Sequence, residues 1–192
     1  MANDNTPKRP KPKRPVKPPT KPIPDGQTLV PGIDALQERL IGCVVTEWSR
    51  LEGALEDMIW TLTGLSFEDG RVLTSRTDAK TKIAMLQVLA PRYLADPTLR
   101  KVEEALVLAD SLRDDRNFIM HGSWGTMVPI NESTALSLRA ASLPGMVTSE
   151  SFSRARMVGI LRGITEAKQA LLDVLNAHPT SPYISEPPVP RG

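Results

Sequence analysis

Residues Ile33–Thr63 read IDALQERLIGCVVTEWSRLEGALEDMIWTLT. Apolar side chains recur at Leu36, Leu40, Ile41, Val44, Val45, Trp48, Leu51, Leu55, Ile59 and Leu62. That three-and-four spacing is the signature of one long amphipathic helix with a single buried face. Gly64 is placed to close it, because glycine accepts the left-handed turn that ends many helices. A helix of this length needs other apolar helices to cover its stripe.

The segment that follows, SFEDGRVLTSRT, is expected to be a loop. Asp78 then predicts the cap of a second helix through Ala79, Ile83, Leu86, Leu89 and Ala90, with Pro91 ending or kinking it. Pro97 suits the first turn of a third helix through Val102, Ala105, Leu106, Ala109, Leu112 and Ile119, with Gly122 at its end. WGTMVPI and TALSLRA flank Asn131-Glu132-Ser133 and predict a short hairpin, whose first strand Pro129 would keep at an edge. Ser149 or Ser151 is expected to cap a last helix through Phe152, Val158, Leu161, Ile164, Leu171, Leu172 and Leu175. The predicted fold is mainly α: a bundle of four or five helices with a small β-hairpin inserted before the last one.

Composition agrees with that class. Of 192 residues 40% are hydrophobic and only 4% aromatic, so the core must be built from aliphatic side chains and methionine, which favours helices over an all-β fold. One cysteine, Cys43, cannot form an internal disulfide; it is assigned to the core, and a reducing, cytoplasmic setting is expected. No apolar run is long enough to cross a membrane, and the charged N-terminus has no hydrophobic stretch behind it, so neither a membrane partner nor a secretory signal is expected.

Charge is unevenly distributed. Residues 1–24 carry seven basic residues against Asp4, a balance of +6, so the rest of a chain of net charge +2 carries −4. Proline alternates with these cations, so residues 1–30 are expected to form a disordered basic tail. Either an electrostatic contact with nucleic acid or a solubilising spacer fits it. The helical domain is assigned to 31–178 and a second proline-rich tail to 179–192.

The third helix holds the chemistry. On a helical wheel Arg113 and Arg116 fall within its apolar stripe, and Asn117 and His121 share an edge one turn apart. A guanidinium facing a core is costly unless it is paired. Glu52 lies on the apolar side of the first helix and is a candidate partner. Such a pair either fixes helix register or orients an arginine toward a phosphate, whose oxygens match the guanidinium fork. His121 adds an imidazole that titrates near neutrality, as proton transfer requires; His178, beside Pro179, is incidental. Two histidines and one cysteine, widely separated, imply no metal site, and the acidic pairs Asp114-Asp115 and Glu68-Asp69 are assigned to solvated surface. No glycine-rich phosphate loop and no Gly-x-Ser-x-Gly motif occurs.

Arg116-Asn117-x-x-x-His121, in the segment RDDRNFIMHGSW, resembles the HEPN superfamily, as does the long first helix carrying EWSRLEGALEDMI. The architectural likeness spans roughly residues 33–177 and neither tail. It implies a metal-independent endoribonuclease without a cofactor, acting on RNA as a homodimer. Members are often toxins or antiphage effectors, so a cognate antitoxin or regulatory protein is a possible partner. The resemblance makes Arg116, Asn117 and His121 the candidate catalytic residues, with Glu52 and Arg113 supporting them. Other members have lost activity and only bind nucleotide, nucleic acid or a partner protein.

Overall fold

The computed structural model describes residues 28–128, 134–140 and 147–177, with side chains over 32–125 and 150–177. It is a mainly helical bundle with a small β insertion. In chain order the elements are β1 (Thr28–Pro31), α1 (Ala35–Thr63), α2 (Phe67–Thr74), α3 (Ala79–Tyr93), α4 (Thr98–His121), β2 (Ser123–Val128), β3 (Thr134–Ala140), β4 (Val147–Ser153) and α5 (Arg154–Ala177).

α1 is the central element, packed on α3, α4 and α5. Its start is set by a capping box: Asp34 accepts from the Gln37 amide, and the Gln37 side chain accepts from the Asp34 amide. Gly64 ends it with φ 68°, the left-handed geometry a C-terminal glycine supplies cheaply. Most of the stripe predicted from spacing is buried: Val44, Trp48, Leu51, Leu55 and Ile59 are at most 1% exposed. So is Met58, which that stripe did not include, whereas Leu36 at its start is exposed and Leu40, Ile41 and Val45 are half-buried. The buried residues meet Ile83 and Leu86 of α3, Leu106 and Ile119 of α4, and Met157, Ile164 and Leu171 of α5 in one core. Among the described residues, no helix is long and apolar enough to cross a membrane.

Several local expectations are corrected. The segment expected as a loop contains α2, capped by the Ser66 hydroxyl, which accepts from the Asp69 amide. Its eight residues are too few to show a helical period, and its glycine, Gly70, is needed for packing rather than turning. The hairpin pair β2–β3 is present, with Ser123 opposite Leu138, but it belongs to a four-stranded antiparallel sheet ordered β1-β2-β3-β4. β2 is therefore not an edge strand, because β1 pairs with it from Thr28↔Val128 to Pro31↔Gly125. Thr28–Val30, counted above with the tail, belong to that strand; Pro129 and the predicted turn at 131–133 lie outside the described residues. Ser149, Ser151 and Phe152 lie in β4, and Ser153 does the capping, its hydroxyl accepting from the Arg156 amide. Residues 1–27, His178 and the tail at 179–192 also lie outside the described residues.

Candidate functional site

Arg116 occupies the seam between α4 and α1, its side chain 19% exposed. Three side chains surround it. The guanidinium lies 5.3 Å from the ring centroid of Trp48. Its Nη1 donates to Asn117 Oδ1 at 3.0 Å, and its Nη2 stands 3.6 Å from Glu52 Oε1. That same carboxylate oxygen accepts the Trp48 indole N–H at 2.5 Å. Trp48 and Glu52 are four positions apart on α1 and so project from one face. The short bond from Glu52 goes to the indole, and the guanidinium is held more loosely. Arg116 Nε is buried without a hydrogen-bond partner among the described residues.

α4 stays helical through His121 and stops at Gly122, whose amide donates to Phe118 O at 3.0 Å. Gly122 has φ −84°, ordinary extended backbone, so the left-handed glycine end expected there does not occur. The stop is made by tertiary contacts. Trp124 donates its indole N–H to Ile119 O at 3.1 Å, satisfying one of the last helical carbonyls. Its ring packs 5.5 Å from Phe152. Arg156 stacks over the other partner in that contact, 4.4 Å from the Phe152 centroid, and reaches Asp115 at 3.0 Å and Glu150 at 2.7 Å. Asp115, assigned above to solvated surface, is thus an anchor between α4 and α5.

Arg116, Asn117 and Glu52 are brought together. Arg113 is not: it is half-buried, but its Nε pairs with Asp110 at 3.2 Å and its Nη2 with Asp114 at 3.6 Å, both on α4 itself. His121 is exposed, and its side chain has no polar partner among the described residues. Five positions separate it from Arg116, about 140° around an unbroken helix. One chain therefore does not aim both groups at one point. Spacing alone places Trp48 in the core; its separation of four from Glu52 is the sign in the sequence that it also has a polar task. Cys43, assigned to the core, is half-buried in a groove between α1 and α5. Among the described residues no group of three or more His, Cys, Asp or Glu side chains could hold a metal ion.

Chemically, the seam offers a permanently charged, planar guanidinium against an aromatic ring, and an exposed imidazole at the same helix's end. No family model matches the chain, and neither a curated protein nor a solved structure matches it.

Proposed function

We propose that this chain is a metal-independent endoribonuclease of the HEPN type that works as a homodimer. The observation that carries this is the state of Arg116. It is oriented by Trp48 and Asn117, yet its pairing with Glu52 is long and its Nε has no hydrogen-bond partner among the described residues. The buried Nε is out of a ligand's reach, so the donors left for a phosphodiester are the Nη1 and Nη2 hydrogens not taken by Asn117 and Glu52.

In the proposed reaction a 2′-hydroxyl of the RNA attacks the adjacent phosphorus. The new O2′–P bond forms as the P–O5′ bond breaks, giving a 2′,3′-cyclic phosphate and a free 5′-hydroxyl. One proton leaves the 2′-oxygen and another is delivered to the 5′-oxygen. His121 supplies one of these transfers and its copy in the second chain the other; Arg116 binds the scissile phosphate, and Asn117 holds the guanidinium plane. The angular separation of Arg116 and His121 makes the second copy necessary. A toxin or antiphage role, with a cognate antitoxin, accompanies this proposal.

The test is incubation of purified protein with mixed RNA in EDTA, beside His121→Ala. Cleavage by the wild type, lost in the variant with an unchanged circular dichroism melt, is the expected result. Intact RNA with wild type, or a strictly monomeric protein in light scattering, would sink the proposal. A second reading is a non-catalytic helical dimer that binds nucleotide, nucleic acid or a partner protein. It is favoured by the contacts Arg116 already makes with Glu52 and Asn117, and intact RNA in the same experiment selects it.

A further inference from the structure

On the opposite side of α1 from Trp48, an open groove of about 600 Å³ runs between α1 and α5. Its floor is small or apolar, with Gly42, Thr46, Leu161 and Thr165. Its polar rim holds three cations, Arg39, Arg50 and Lys168, against one carboxylate, Glu47. Glu47 is already shared: Lys168 Nζ and Arg50 Nη1 each stand 2.5 Å from it. Arg39 is exposed and has no polar partner among the described residues. The groove therefore carries an excess of positive charge on a part of the chain whose residues 25–192 total −4.

We infer that this groove is a phosphate-tracking surface for single-stranded RNA, distinct from the Arg116 seam. The inference rests on RNA being the substrate. Three features favour a polyanion strand over other occupants. The cations line a channel rather than converge: Arg39 and Arg50 are eleven positions apart on one helix, about 16 Å, too far to clasp a single small anion. The groove is a shallow surface feature open to solvent, not an enclosed cavity shaped for a small ligand. An otherwise acidic fold repels RNA, so approach is favoured where positive charge is concentrated. No aromatic ring is among the lining residues, so bases have no stacking platform and binding there is independent of base identity.

The test uses the full-length wild-type chain and a fluorescein-labelled 2′-O-methyl oligouridylate, which lacks the nucleophile and cannot be cleaved. Affinity is read by anisotropy across a salt series. Arg39→Gln with Arg50→Gln should weaken binding about fivefold or more at low salt. It should also flatten the dependence of log K on log salt by roughly 1.4, two phosphate contacts' worth for a single strand. The control is Arg92→Gln with Lys101→Gln, an equal loss of charge at exposed positions outside the groove. Equal weakening by both pairs, or by neither, overturns the inference, since the effect is then global charge or nothing. Tighter binding of poly-L-glutamate than of the oligonucleotide, lost on neutralising Arg39 and Arg50, also overturns it and makes the occupant an acidic protein. Cleavage of unmodified RNA, followed in parallel, separates failure of the groove from failure of the enzyme: persistent cleavage with an unaffected salt slope removes only the groove.

Discussion

The guanidinium of Arg116 lies over the indole of Trp48, and that indole donates its N–H to Glu52, the carboxylate facing Arg116. The three groups form a closed set in which the aromatic ring is the common member. Trp48 is 1% exposed and fixed by the core, so it holds Glu52 by a short hydrogen bond and leaves the arginine a flat, apolar seat.

A double-mutant cycle follows from that arrangement. The Glu52–Arg116 separation of 3.6 Å describes a loosely made pair, although the side chains are only 28% and 19% exposed. With Glu52→Gln and Arg116→Met, urea denaturation should give a coupling of about 0.5 kcal/mol. A coupling above about 2 kcal/mol would identify a buried structural clamp and count against a phosphate-binding arginine.

Gly70 gives a sharper stability test. A Cβ added there would stand 2.5 Å from Trp60 Cγ, and Trp60 is 2% exposed with its indole N–H bound to Thr74 Oγ1 at 3.2 Å. The buried ring is held in place, so α2 itself would have to shift outward and give up its contact with Trp60. Gly70→Ala should cost about 2 kcal/mol through overpacking and shift the tryptophan emission. Gly163→Ala is the milder comparison, because the one close approach is to Leu112 Cδ1 at 2.9 Å, the end of a flexible side chain, with Leu108 Cδ1 and Leu112 Cδ2 at an ordinary 3.6 Å. Under about 1 kcal/mol is expected there. Equal losses at the two sites would show that the Trp60 contact is not what limits Gly70.

The helical framework could be read from spacing because burial imposes a period. α1, α3, α4 and the body of α5 all carry runs long enough to show it. α2 carries only eight residues, and β1 four, paired with a strand almost a hundred positions away. Local pattern holds no trace of such a partner. The caps divide the same way. Asp78 and Gly64 follow from residue type, while Ser153 takes the cap from Ser149 and Ser151 because β3 draws both into β4. At the candidate site, Glu52 beside Arg116 followed from two wheels facing each other. That Arg113 turns to Asp110 and Asp114 did not, since i,i+3 and adjacent carboxylates compete with any partner across helices.

Lys82 and Glu56 form the most buried ion pair described, at 2.6 Å between α3 and α1, with the lysine side chain only 5% exposed. Glu56→Ala leaves that ammonium without its partner and should cost about 3 kcal/mol in urea denaturation. Lys82→Met removes the charge and keeps the volume, leaving a Glu56 side chain that at 22% exposed reaches water more readily than the 5% exposed lysine, and should cost less than Glu56→Ala. Equal losses would place the effect in packing rather than charge.

The acid limb of stability is set by carboxylates that the fold holds ionised. The Lys168 ammonium, then Arg50, keep the Glu47 carboxyl below its ordinary 4.5. Arg154 and the Gln37 amide act likewise on Asp34, and the Thr81 hydroxyl and amide on Asp78, both below 3.8. A folded-state pKa below the unfolded one means the unfolded chain binds protons more readily. The stabilisation is whole above the unfolded pKa and is lost as pH falls through the folded value. Thermal melts should therefore be flat from neutrality to about pH 5 and fall below it. Glu47→Gln removes one contributor, so the drop in Tm between pH 7 and about pH 3 should be smaller in the variant than in the wild type, at a slightly lower neutral Tm. An identical drop in the two proteins would mean that Lys168 and Arg50 do not hold Glu47 ionised in solution.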